Sequence, residues 1–190
     1  LTSYFHPLRP EMADHPYVAS RIASEEQLAD LCGDELRLVV LQPPYVFGAI
    51  PGRTSLGDTL SKAVRIPLLV PHGGTNAMSV MALAEAIRGA LERPSARGTY
   101  LVGDENLSWR RLIQRFGGRS ALLPTWLIRA VMWLGSIALM IVRRQSGLDP
   151  VRLTDVIASE MFFDPSAGQE ALGYSGGDLD TAIADIRARP

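Results

Sequence analysis

The chain has 190 residues, 47% of them hydrophobic and 21% charged, enough for one hydrophobic core with a small satellite lobe. Nineteen basic and twenty acidic side chains leave a formal net charge of -1, so no net field favours nucleic acid or an anionic surface, and nucleic acid is not expected as a partner. The single cysteine, Cys32, excludes an internal disulfide and a zinc-binding spacing, and reads as a small apolar filler in a reducing, cytoplasmic setting.

The first segment lacks the basic end, apolar middle and small-residue cleavage site of a secretory signal, and a start at Leu1 reads as part of a longer frame. Pro16 followed by apolar Val18, Ile22 and Ala29 at helical spacing predicts a helix over 16–31. "LRLVVLQ", 36–42, is a short β-branched run of the kind buried on both faces of a sheet, stopped by Pro43 and Pro44. From 48 to 75, glycine and proline predict loops around one helix and one short strand. Ser79 is placed to cap a helix carrying Val80, Leu83, Ala84, Ile87 and Leu91 as its apolar stripe, ending near Arg93.

"GTYLVG", 98–103, predicts another strand, and Ser108 opens a helix with Trp109, Leu112, Ile113 and Phe116 on one face. The segment 123–144 is the most apolar, but only residues 130–142 run without charge, short of the ~20 a bilayer span requires. Core packing, an apolar substrate lobe marked by Trp126, Met132 and Trp133, and contact with a membrane surface all remain open for it. Asp164 is expected to cap a helix ended by Gly173, and a last amphipathic helix uses Leu179, Ala182, Ile183 and Ile186. His6, His15 and His72 lie near prolines or glycines and are expected in loops rather than on a metal.

Five segments in order resemble the C-terminal half of an extended short-chain dehydrogenase/reductase, the NAD(P)-dependent epimerase/dehydratase family. "YVASR" holds the place of Tyr-x-x-x-Lys, and "VVLQPPYVFG" that of the strand and turn read as Arg-Pro-x-x-Val-Tyr-Gly. "SVMALAEAI" stands at the Val-x-Asp-Leu-Ala helix, and "GTYLVGDENLSWRRLI" and "FFDPSAGQEALGY" at the later strand-helix and Leu-Gly-Tyr segments. The fold implied is α/β, a Rossmann-type parallel sheet (its C-terminal part) with a mostly helical substrate lobe. Rossmann elements would occupy about 1–48 and 79–103, and the lobe about 49–78 and 104–190. The cofactor-binding half would be absent, since no glycine-rich phosphate turn precedes Tyr17.

A phenol with an ordinary pKa near ~10 exchanges protons at neutral pH only beside a cation. Tyr17 and Arg21 are four residues apart, on one helix face about 6 Å apart along the axis. The resemblance implies Tyr17 as acid/base, Arg21 in the usual lysine place as its electrostatic partner, and Ser3, with Thr2 as alternative, as hydrogen-bond donor to the reacting oxygen. Pro43, Pro44, Tyr45 and Val46 lie at the carboxyl end of the strand, where open α/β sheets bind ligands. In the family, backbone groups of that turn meet the nicotinamide, which makes Tyr17, Arg21, Pro43, Pro44 and Val46 the cofactor-binding candidates. Gln42, Met81 and Ala82 replace the family's arginine and aspartate, so those contacts do not carry over.

The implied activity is NAD- or NADP-dependent oxidation, reduction or epimerisation at a secondary alcohol or ketone. Its substrate would be a small molecule, a sugar nucleotide or an apolar sterol- or flavonol-like compound, and a homodimer is the expected assembly. The fragment alone is expected to be inactive. The alternative is a non-catalytic scaffold on the same fold, or an interaction protein associated with membranes through 123–144.

Overall fold

His15, 2% exposed, starts the longest helix among the described residues: its Nδ1 accepts the Tyr17 amide at 3.3 Å, and Pro16 occupies the first helical position, where a missing N–H costs nothing. A computed structural model describes residues 4–33, 36–50, 52, 54–124, 126–128, 130, 133 and 158–189. In chain order it has α1 (Phe5–Leu8), a 3-10 turn (Pro10–Met12), α2 (Pro16–Cys32), β1 (Val39–Gln42), β2 (Tyr45–Phe47), α3 (Leu56–Ala63), β3 (Leu68–Val70) and β4 (Gly74–Ser79). There follow α4 (Val80–Glu92), β5 (Gly98–Leu101), β6 (Glu105–Ser108), α5 (Trp109–Arg115), β7 (Ser120–Leu122), β8 (Glu160–Met161), α6 (Ser166–Leu172) and α7 (Leu179–Arg187).

The strands form three sheets. β1 pairs in parallel with β5, Val39 opposite Gly98; β2, β4, β6 and β8 form a mixed sheet around β4; β3 and β7 make a parallel ribbon. The mixed sheet was not legible as strand sequence. β4 is buried along its whole length although it begins "GTN" after a further glycine, which reads as a turn, because its polar groups find partners. Asn76 donates from Nδ2 to Asn106 Oδ1 at 2.9 Å and accepts from the Asp104 amide at 3.0 Å. Ser79 Oγ donates to Asp178 at 2.7 Å while accepting the Ala82 amide at 2.9 Å as the cap of α4.

α4 forms where its periodicity places it but packs on a different face. The buried residues are Ala82, Ala86, Gly89 and Ala90, whereas Leu91 is 72% exposed and Val80, Leu83 and Ile87 are only half-buried. Small residues let α4 approach α6 so closely that a Cβ on Gly89 would collide with the Leu172 carbonyl. Asp164 is displaced from its expected role in the same way. The cap position of α6 is Pro165, and Asp164 Oδ1 accepts the Ser166 amide at 3.0 Å, which holds its carboxyl below the ordinary aspartate range. Gly173 ends α6 in the left-handed region with φ 65°, as its type suggested.

Two arginines tie these elements together through carbonyls rather than carboxylates. Arg37, just before β1, donates to the Leu91 carbonyl at 2.9 Å and to those of Arg93 and Ala96 beyond the end of α4. Arg93 donates in turn to the Glu170 and Ala171 carbonyls of α6 at 3.1 and 3.4 Å. β1 and β5 thus share one core with α4 and α6, through Leu41, Met78, Val102 and Leu172. A second core under the mixed sheet contains Phe47, Leu107, Phe116 and Ile183.

Among the described residues no strand pairs with the second edge of β1. α2 is equally uncovered: Val18 is its one fully buried residue, while Leu28 and Leu31 are 46% and 80% exposed. Of the histidines, His6 lies within α1, against the loop expectation, while His15 is buried in the bend that caps α2 and His72 is exposed between β3 and β4. Residue 131, Met132 and residues 134–157 lie outside the described residues; 126–128, 130 and 133 are helical. Among the described residues no helix is long and apolar enough to cross a membrane.

Candidate active site

Two prolines without N–H groups end β1, and the chain crosses there from the β1–β5 sheet to the mixed sheet, where Tyr45 pairs with Ala77. The start of α2 faces this crossing, and Tyr4 and Phe5 close its side. The result is an open cleft of about 360 Å³ lined by Tyr4, Phe5, Tyr17, Pro43, Pro44, Tyr45 and Val46, within the ~300–1,000 Å³ of small-molecule sites. Tyr17, Pro43, Pro44 and Val46 are thereby brought together. Ser3 and Thr2 lie outside the described residues, next to Tyr4.

Three phenols meet in the cleft in different surroundings. Burial pushes the Tyr4 hydroxyl far above its ordinary range, a shift opposed by its hydrogen bond with Thr75 at 2.7 Å. Since Thr75 Oγ1 donates to the Asn76 carbonyl at 2.9 Å, Tyr4 is the donor to Thr75. Burial, and to a lesser degree the neighbouring Tyr17, pushes the Tyr45 hydroxyl up as well. Both are held protonated, whereas Tyr17, 37% exposed, is the most exposed of the three phenols.

Arg21 does approach Tyr17, but over the ring: its guanidinium carbon lies 5.2 Å from the ring centroid, a cation–π contact. Arg21 is exposed, and no carboxylate pairs with it among the described residues. The rest of the wall is aromatic. Phe5 meets the Tyr17 ring edge-on with centroids 6.2 Å apart, and Tyr45 meets Trp109 at 5.6 Å. Tyr4 and Phe5 were missed from sequence, where "YF" reads as an ordinary apolar pair. Gln42 is 4% exposed and donates to Glu25 of α2 at 3.1 Å, tying helix to strand behind the cleft. Met81 is 61% exposed and Ala82 buried, and neither carries a carboxylate.

No protein-family model and no curated protein sequence matches the chain. Solved structures do. A nucleoside-diphosphate-sugar epimerase from Pseudomonas aeruginosa is 22% identical with a TM-score of 0.65, matching 90% of this chain and 53% of its own. The protein gox2253 is 21% identical with a TM-score of 0.66, over 90% of this chain and 54% of its own. The UDP-glucose 4-epimerase of Bifidobacterium longum, solved with NAD+ and UDP, is 16% identical with a TM-score of 0.59, over 90% and 53%.

The fold is the α/β fold of these epimerase structures. The chain spans about half the length of the epimerase-fold structures that it matches. Pro43 and Pro44 present carbonyl acceptors and no donors, suited to a carboxamide NH2, beside an accessible phenol and a cation. The pattern G-x-G-x-x-G, which would cradle a pyrophosphate, does not occur in the sequence.

Proposed function

We infer that the chain is the substrate-side half of an NAD(P)-dependent oxidoreductase or epimerase acting on a secondary alcohol or ketone. The observation that carries this reading is the placement of Tyr17, with Arg21 on its ring, in a cleft at the carboxyl end of β1. Tyr17 would take the proton from the substrate hydroxyl in oxidation and return it in reduction, with Arg21 holding a positive charge beside its ring. The Pro43–Val46 turn would orient the nicotinamide, and Ser3, next to the cleft-lining Tyr4, would donate to the reacting oxygen. The bound nicotinamide would accept or supply the hydride.

Sugar nucleotides are the favoured substrate class because the neighbours named above include nucleotide-sugar epimerases; an apolar alcohol is the other class retained. The test joins the chain to a nucleotide-binding half and follows nicotinamide reduction with both classes. Tyr17→Phe should lower turnover by at least ~10²-fold, the usual contribution of a positioned acid/base, with a smaller effect on KM. Equal turnover by Tyr17→Phe and the unaltered enzyme removes the proposal. A second reading, a scaffold without turnover, is favoured by one observation: an arginine stacked on the ring stands where the family has a lysine. It predicts no turnover in the joined protein, and none gained by Arg21→Lys.

A further inference from the structure

A second groove, of about 380 Å³, lies between one face of α3 and the end of α7. Asp58, Ser61, Lys62 and Arg65 line it at the helical spacing that puts side chains on one face, and Thr54 extends that wall before the helix begins. Ile186 and Arg189, from the last turn of α7 and just beyond it, complete the lining. The two helices meet closely there, since a Cβ on Gly57 would lie 2.6 Å from Ile186 Cδ1. No lining residue is shared with the cleft around Tyr17.

Three of the side chains are cationic and one is a carboxylate, so the lining carries a net charge of +2. The carboxylate is already held. Asp58 Oδ2 accepts the Ser55 amide at 2.6 Å and hydroxyl at 2.7 Å, and Oδ1 lies 3.9 Å from Arg189 Nη1, which donates to the Ile50 carbonyl at 3.0 Å. Those contacts fix one negative and one positive charge in place. Lys62 and Arg65 are exposed, and among the described residues no carboxylate lies within ion-pair distance of either. After Asp58 the sequence has no acidic residue before Glu85.

A phosphate monoester carries about -1.5 to -2 at neutral pH and so matches this excess, which a monocarboxylate would leave partly unmet. Guanidinium forks meet phosphate oxygens in pairs, an ammonium meets them as a point charge, and the hydroxyls of Thr54 and Ser61 add donors. The volume, within the ~300–1,000 Å³ of small-molecule sites, leaves room beyond a phosphate for a carbon part against Ile186. Asp58 Oδ1 accepts no hydrogen bond among the described residues, and it is an acceptor for a hydroxyl on that part. A nucleic-acid strand would find no aromatic ring in this lining on which to stack.

We propose that the groove between α3 and the end of α7 binds the phosphate monoester of a hydroxylated small molecule, with Lys62, Arg65 and Arg189 on the phosphate and Asp58 on a hydroxyl. The proposal does not depend on the catalytic reading and is tested without cofactor.

The 190-residue chain is titrated by calorimetry with ribose 5-phosphate, with ribose and with inorganic phosphate. Ribose 5-phosphate is expected to bind, inorganic phosphate to bind more weakly because it leaves Asp58 and Ile186 uncovered, and ribose not to bind. Lys62→Gln/Arg65→Gln should weaken binding of the ester at least about tenfold, whereas Arg21→Gln, at the cleft, should leave it unchanged. Lys62 and Arg65 are exposed, and unchanged circular dichroism confirms that the double variant folds. The proposal fails if ribose 5-phosphate does not bind at up to about 1 mM, if ribose binds as tightly, or if the double variant binds like the unaltered chain. It also fails if inorganic phosphate binds as tightly as the ester, which would mean free phosphate is the ligand, or if Arg21→Gln abolishes binding, which would place the phosphate in the cleft.

Discussion

Replacing Gly89 by alanine sets two effects of opposite sign against each other. Gly89 lies inside α4, where alanine is intrinsically better by about 0.8–1.0 kcal/mol. The new methyl would, however, overlap the Leu172 carbonyl oxygen and lie 2.8 Å from its carbon and 3.2 Å from its Cα. These are backbone atoms, and Leu172 is 1% exposed and directly precedes the left-handed cap Gly173, so relief requires α4 and α6 to separate. Overpacking of this kind costs about 1–3 kcal/mol, and a clash with backbone belongs at the upper end. A net loss of about 1–2 kcal/mol is expected, read as a lower urea midpoint with an unchanged slope. In a thermal scan it should appear as a fall in Tm of about 2–8 °C. An increase in stability near 1 kcal/mol, as propensity alone would give, would refute the close approach of the two helices.

Tyr4→Phe should cost about 0.5–1.5 kcal/mol at neutral pH by removing the bond to Thr75. Because burial raises the Tyr4 pKa in the fold, its contribution is present below the unfolded value of ~10 and is lost as pH rises above it; the stability gap between Tyr4→Phe and wild type should therefore narrow in alkali. Asp58, whose Oδ2 accepts the Ser55 amide at 2.6 Å and hydroxyl at 2.7 Å, has its pKa lowered by those bonds. Denaturation should show Asp58→Ala less stable than wild type above pH ~4, with the gap closing as pH falls through the lowered value in the fold. Arg37→Ala should lower stability by roughly 1 kcal/mol by unfastening the end of α4. With one edge of β1 and a face of α2 uncovered, the isolated chain should self-associate with concentration in light scattering and show no micromolar NAD(P)H binding by calorimetry, and Leu31→Lys should reduce the association.

Local signals were legible where one physical effect dominated. Ser79 and Ser108 cap their helices as expected, at 2.9 and 3.3 Å from the amides of Ala82 and Arg111, because a hydroxyl before an apolar period leaves few alternatives. Gly173 ended its helix for the same reason. β4 was hidden because its Thr75 and Asn76 are buried through hydrogen bonds supplied by residues from far along the chain, and such partners leave no periodic trace. The face of α4 was misread because alanine and glycine carry little hydrophobic weight, although they permit the closest approach between helices. In the cleft, Tyr17 and the Pro43–Val46 turn, singled out through the family resemblance, line one wall together, whereas Tyr4 enters by packing alone.

The arginine-to-carbonyl fastenings at the ends of α4 and α6 give the two cores unequal sensitivity to salt. The Arg37 and Arg93 contacts end on neutral peptide carbonyls, so they rest on short-range hydrogen bonds rather than on attraction between two net charges. Arg115, by contrast, joins β6 and α7 through the carboxylates of Glu105 and Asp180, a partly exposed ion-pair link that dissolved ions screen. The region around the mixed sheet should therefore loosen first as salt rises, while β1, β5, α4 and α6 remain joined, giving an order of local opening that amide hydrogen exchange would resolve.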